Sequence, residues 1–414
     1  MVNGNSAKKI DFKQAISWGL FDFANSPFAV IIISLVFPIY FKEVVAGDYG
    51  DFYWGLIVSL STIAAAFVLP IIGAISDYDM KRKTRFMTFA VLSMAGTALL
   101  YFSGPGMLLT TAIIFVITKF FYELAIVSYD SFLLTVSSRE TAGEISGVGW
   151  GLGYLGSTVA MLLFLPLYGS GYAGALDANY RLTFPLTALF FLLFSIPAFL
   201  FIKEKLPSAK KKNAPCDLIK LGIKRAQTMF GEIRSNQPVT LFLVAFYFLH
   251  DALTTLFVFI PIYLRDMYML GFSDIFILFI VILLVGIPSS VLFGWLSDKF
   301  GSKKILLGTI AVWMFIIVMI YTATSIRYLY VLAVLAGLVI GSSQAIARSW
   351  LSKIVPKEER SEFFGFNALS SKVAASAGPL LFGIISVTVD QRTAMLALLP
   401  FFVISFILFS RIKE

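Results

Sequence analysis

The sequence predicts an all-α membrane protein of twelve transmembrane helices in two pseudo-symmetric six-helix halves, on three observations. Hydrophobic residues make up 58% of the 414, with mean hydropathy +0.87, and charged residues only 14%, against about 25% in soluble domains. Apolar segments of helix-spanning length recur along the whole chain, as a hydrocarbon core about 30 Å thick demands. Two loops repeat, GAISDYDMKRK at 73–83 and GWLSDKFGSKK at 294–304; Gly73 to Gly294 and Asp77 to Asp298 are both 221 residues, half the chain. A duplicated membrane chain of this kind is expected to rock one half against the other around a central site.

The twelve segments fall at about 15–40, 53–75, 86–103, 108–137, 146–168, 182–202, 237–264, 273–296, 305–324, 328–352, 365–389 and 393–410. The alternating period of a membrane barrel is absent, so helices are the spanning option. The segments divide into an N-terminal half, 1–202, and a C-terminal half, 237–414. Between them 203–236 opens with the basic, Pro-containing KEKLPSAKKKNAPC and continues with Ile219, Ile223, Ala226, Phe230 and Ile233 on one helical stripe. That pattern predicts a cytoplasmic linker whose helix either lies on the inner membrane surface, drawn to anionic lipid, or is simply solvated. With both termini in the cytoplasm, inside segments hold 25 Lys and Arg and outside loops 5, which fixes the expected orientation. Topology thus accounts for the net charge of +9, and nucleic acid is not an expected partner. The first segment is too long for a cleavable signal.

In order along the chain, segment 1 places Asp22, Asn25 and Ser26 on one helical face, followed by Pro27. Pro27 removes a backbone hydrogen bond beside that polar face. Asp22 either lines a cavity or pairs structurally near the interface. Segment 2 ends in the first gate loop with Gly73 and Asp77. Segment 4 carries Lys119, Glu123 and Asp130 within about 40° of one another. The first two are spaced for an ion pair that either neutralises itself or holds a zwitterion or a proton. Segment 5 is rich in glycine, from Gly147 to Gly156, for close packing or for sliding between halves.

Segment 7 carries His250 and Asp251; Asp251 shares a face with Thr254 and Thr255 and answers Asp22 topologically. The lone His250 is either proton-responsive or a packing residue. Segment 8 ends in the second gate loop with Gly294 and Asp298. In segment 10, Gln344 and Arg348 are four apart; Arg348 either meets Asp77 or Asp130 when an inner gate is shut or snorkels to the interface. Lys372 in segment 11 has the same two readings.

The paired loops resemble the signature of the major facilitator superfamily, where it joins helices 2 to 3 and 8 to 9. The second copy keeps Gly294, Asp298, Lys299, Gly301, Lys303 and Lys304 in place, whereas the first lacks the Gly after Asp77 and carries extra residues. SWGLFDFANSPF at 17–28, SGVGWGLGYLGS at 146–157, QAIARSWLSKIVPKEERSEFFGF at 344–366 and GPLLFG at 378–383 are similar to the branch related to autophagy-linked vacuolar amino-acid effluxers. The resemblance covers nearly the whole chain and implies a twelve-helix secondary transporter, with amino-acid export as one implied activity.

The expected function is therefore alternating-access movement of a small polar solute, with a proton as possible coupling ion, by a monomer in the inner membrane of a prokaryote. Asp22, Asn25, Ser26, Lys119, Glu123, Asp251 and Gln344 are the candidate binding or coupling residues; Gly73, Asp77, Asp130, Gly294, Asp298 and Arg348 are the candidate gating residues. A non-transporting sensor or lipid-handling protein on the same scaffold is the alternative. No phosphate-binding loop, catalytic pair or cofactor motif is present, and one His with one Cys excludes the usual metal clusters.

Overall fold

The computed structural model describes residues 12–78, 82–137, 142–167, 178–204, 237–323, 325–354 and 376–412. The expected linker helix, with its stripe from Ile219 to Ile233, and Lys372 lie outside the described residues. The first crossing is composite. It begins as α1 (Phe12–Pro27), continues as a π-helical run Phe28–Leu35, narrows to α2 (Val36–Tyr40) and widens again over Phe41–Ala46. Winding changes at Pro27, where the missing N–H breaks the ordinary ladder. The Val36 N–H then reaches back five residues to the Ile31 carbonyl, the spacing of a π-turn. Gly47, at φ 62°, turns the chain back.

The remaining elements are α3 (Gly50–Tyr78), α4 (Arg82–Leu99), α5 (Leu108–Asp130), α6 (Leu133–Val136), α7 (Ala142–Phe164), α8 (Ala178–Phe201), α9 (Gln237–Tyr268), α10 (Phe272–Phe300), α11 (Ser302–Thr322), α12 (Ile326–Ile354), α13 (Ala377–Thr388), α14 (Gln391–Leu396) and α15 (Leu399–Arg411). Among the described residues ten helical stretches are long and apolar enough to cross a membrane. The first of these spans 58 residues, folds back at Gly47 and so holds two crossings; α13 is a shorter apolar helix within the eleventh expected segment. The chain is an all-α membrane protein of the architecture that the sequence predicts.

Helix α1 packs on α7 and α8, α4 on α5 and α8, and α3 on α5. In the second half α10 packs on α12, α11 on α12, and α9 on α15. The halves meet where α3 lies along α13, α7 along α10, and α9 along the π-helical run. Aromatic rings fill the interior of each half. Phe21 meets Phe86, Tyr129 and Phe191, and Phe37 meets Trp54, Phe115 and Phe184; Phe242, Trp350 and Phe409 do the same in the second half. Outward-facing Phe67, Leu109 and Leu163 stay exposed, as a lipid-facing surface allows.

Candidate functional site

Four polar constellations interrupt this apolar interior. The first lies inside the N-terminal half. Tyr122 and Tyr129 are seven residues apart on α5, two helical turns, and so face the same way. The Tyr129 hydroxyl donates to Asp22 Oδ2 at 2.8 Å, and the Tyr122 hydroxyl donates to Asn25 Oδ1 at 3.2 Å. The Asn25 amide donates in turn to the Phe21 carbonyl at 2.7 Å and lies 3.4 Å from Asp22 Oδ1. Trp18 stacks on the Tyr129 ring, centroids 4.6 Å apart, and its indole N–H reaches the Tyr129 carbonyl at 3.3 Å.

Helix α7 closes the other side. A Cβ on Gly149 would come within 2.5 Å of Asp22 Oδ2, and one on Gly153 within 2.6 Å of Ser26 Oγ. The glycines of α7 thus let its backbone pass over the polar face of α1. Gly149, Gly153 and Gly156 thus serve packing within one half.

The second constellation is the ion pair on α5. Lys119 Nζ lies 3.0 Å from Glu123 Oε1 and donates to the Thr62 hydroxyl of α3 at 2.6 Å. Both side chains are buried. Asp130, the last residue of α5, is exposed.

In the C-terminal half Asp251 is fully buried, and both its oxygens accept from the Gly378 N–H at 3.0 Å. It therefore sits on the first turn of α13, where backbone N–H groups lack partners within the helix. Thr255 donates to the Asp251 carbonyl at 2.7 Å, while Thr254 pairs with His250 Nδ1 at 3.3 Å. Gln344 is half-buried in α12. The gate positions Gly73 and Asp77 fall in α3, Gly294 and Asp298 in α10, and Arg348 in α12; the side chains of Asp77, Asp298 and Arg348 lie outside the described residues.

The fourth constellation, built from residues outside the candidate set, joins the halves at the mouth opposite the starts of α1 and α9. Lys42 Nζ lies 2.7 Å from Asp51 Oδ1 and 2.5 Å from Asp266 Oδ2. Arg265 Nε donates to Glu43 Oε1 at 2.7 Å, and its Nη1 donates to the Leu270 carbonyl at 3.0 Å. The Gln391 amide donates to Asp51 Oδ2 at 2.7 Å and Asp266 Oδ2 at 2.6 Å, and the Ser386 hydroxyl also donates to Asp51. Trp54 adds a bond to the Val258 carbonyl at 3.3 Å. The pairs are crossed: the base of each half takes the acid of the other. A signal for this was in the sequence, since Lys42 and Arg265, Glu43 and Asp266, and Asp51 and Asp274 are each 223 residues apart, close to the 221 of the gate loops.

The backbones approach closely at the same mouth. Gly55 of α3 lies against the Pro379 carbonyl of α13, and Gly383 against the Asp51 backbone. Just beyond, Asp390 caps α14, accepting from the Thr393 N–H at 2.8 Å and its hydroxyl at 2.7 Å. Those bonds hold its carboxyl below the usual carboxylate range.

Comparison with known proteins agrees with this architecture. The family profile described as "Vacuole effluxer Atg22 like" matches residues 53–142 and 134–414. The "Uncharacterized MFS-type transporter YxiO" of Bacillus subtilis (strain 168) is 30% identical over 412 residues, 97% of this chain and 95% of its own length. "Autophagy-related protein 22" of Yarrowia lipolytica (strain CLIB 122 / E 150) is 23% identical over 64% of this chain and 49% of its own. Among solved structures the nucleoside transporter NupG superposes with TM-score 0.71 at 13% identity, covering 98% of this chain and 99% of its own. A D-xylose–proton symporter gives TM-score 0.71 at 13% identity, covering 98% of each. At such identities the likeness is one of fold.

Proposed function

The chain belongs to the Atg22-like family of major facilitator transporters, and from that membership we propose that it carries a small polar solute across the membrane by alternating access. Amino acids are the first solutes to try and export the first direction, with both termini in the cytoplasm of a prokaryotic cell and a single chain as the working unit. The observation that carries this reading is the crossed clasp of Lys42, Glu43, Arg265 and Asp266. Charged contacts between two halves at one mouth are what a rocking machine must make and break, because each conformation needs its own set of stabilising bonds. In the proposed orientation this mouth is the outer one, and here it is closed.

Asp22 and Asp251 are the proposed coupling residues. Asp251 grips the start of α13, and α13 runs along α3 of the other half. Protonating Asp251 removes its charge and one of the two oxygens that accept from the Gly378 N–H, so the grip on α13 weakens. That gives a proton a differential effect on the two conformations, which coupling requires. Asp22 has the same chemistry against Tyr129.

Counterflow of radiolabelled solutes in proteoliposomes tests the transport reading, and no exchange with any amino acid, nucleoside, sugar or drug would leave a non-transporting membrane protein in its place. In that assay Asp22→Asn and Asp251→Asn are expected to keep counterflow and lose accumulation driven by a pH gradient. Accumulation retained in both variants assigns the two acids to packing or solute binding instead.

A further inference from the structure

The clasped mouth leaves a side-chain carbonyl unanswered. Gln391 is 7% exposed, and its carbonyl oxygen Oε1 is buried without a hydrogen-bond partner. Its orientation is fixed, because the amide nitrogen faces two carboxylates, Asp51 and Asp266, at 2.7 and 2.6 Å. Turning the amide over would set oxygen against oxygen. Any group that meets this oxygen must therefore be a donor.

Charge gives the second indication. Glu43, Asp48, Asp51 and Asp266 stand at this mouth against Lys42 and Arg265, an excess of two acids. A cavity of about 440 Å³ opens here, lined by Lys42, Asp48, Tyr49, Asp51, Asp266 and Gln391 among others. Only Asp266 Oδ2 is engaged in these bonds, and its side chain is 27% exposed.

We infer that this mouth binds a small primary-ammonium cation, its N–H groups donated to Gln391 Oε1 and to the Asp266 carboxylate beside the Lys42 ammonium. A buried carbonyl without a donor costs about 1–3 kcal/mol, and a carboxylate pair draws in a cation. Lys42 already shows that an ammonium suits these acids. An organic cation fits better than a metal ion, because among the described residues no three carboxylates, imidazoles or thiols converge as metal ligands do. The volume exceeds what one hydrated inorganic ion needs, and a short diamine fits within it.

The inference stands on the closed mouth and not on solute transport, so binding is measured at equilibrium in detergent, apart from counterflow. The probes are methylammonium and ethylenediammonium chloride, followed by calorimetry and by the unfolding temperature. Both are expected to bind wild type saturably. Tetramethylammonium, a cation without N–H donors, is expected to bind at least tenfold more weakly. Removing the resident ammonium in Lys42→Met should tighten ethylenediammonium about tenfold, an effect in the direction opposite to a merely damaged fold. In the wild-type background Gln391→Met should weaken it at least fivefold, which keeps the test open if the Lys42 variant does not fold. Equal binding of tetramethylammonium would reduce the effect to charge attraction and overturn the site. So would tighter binding of magnesium than of either amine, or an unchanged affinity in Gln391→Met.

Discussion

Lys119 and Glu123 are a buried ion pair 3.0 Å apart, and the Thr62 hydroxyl also accepts from the ammonium. Breaking such a pair from one side strands the other charge in a low-dielectric interior, at a cost of about 3–5 kcal/mol, while replacing both with apolar or neutral groups of similar volume is close to neutral. Lys119→Met is therefore expected to lower the unfolding temperature sharply in detergent, and Lys119→Met with Glu123→Gln to recover most of it. A double variant as unstable as the single one would mean that Thr62 and the surrounding backbone depend on the lysine itself. This pair was legible in the sequence because four residues on a helix return to the same face. The partners of Asp22 were not. Nothing in the spacing of Tyr122 and Tyr129 says that α5 faces α1, because that depends on how two helices rotate about their axes in the packed bundle.

At the scale of elements, the sequence placed a disturbance at Pro27 without its form. The structure resolves it as a change of winding to a π-helical run that continues to Leu35. The glycine-rich segments divide between two jobs that composition alone left open. Gly149, Gly153 and Gly156 bring α7 onto α1 within one half, whereas Gly383 and Gly55 bring α13 and α3 together across the halves. The division yields a prediction. A side chain at position 55 meets the Pro379 carbonyl, so Gly55→Val should hold the halves apart at this mouth while leaving each half folded. In a Cys216→Ser background, the modification rate of a cysteine at Ser386→Cys should rise roughly tenfold, the population change that about 1.4 kcal/mol produces. An unchanged rate would show that the mouth accommodates the valine by local adjustment. Gly153→Val, by contrast, should reduce folded yield without changing that rate.

For the whole molecule, the duplicated gate loops announced two halves, and the halves are there, yet the contact that joins them came from shorter and less distinctive dipeptides, Lys42–Glu43 and Arg265–Asp266. Charges at helix ends look like interface anchors until two ends are seen to face each other. Asp266→Asn removes one arm of the clasp, a partly buried pair, and so weakens the contact that holds the two ends together. Spin labels at Tyr49→Cys and Met267→Cys, again without Cys216, should then report a longer distance across the mouth, and exchange should slow. Restoring opposite charges in Lys42→Asp with Asp266→Lys should bring the distance back. A short distance that survives Asp266→Asn would assign closure to the apolar and backbone contacts of α3 with α13.

The crossing of those pairs has a consequence for how such a chain can be assembled. An interface in which position i of one unit meets j of the other, and j meets i, is isologous, the rule obeyed by two-fold homodimers. Here Lys42 meets the counterpart of Glu43, and Glu43 meets the counterpart of Lys42. Two copies of the N-terminal half would therefore find their charges already matched at this mouth, with no substitution needed. The single chain keeps, in four side chains, the self-complementarity of a dimer of halves.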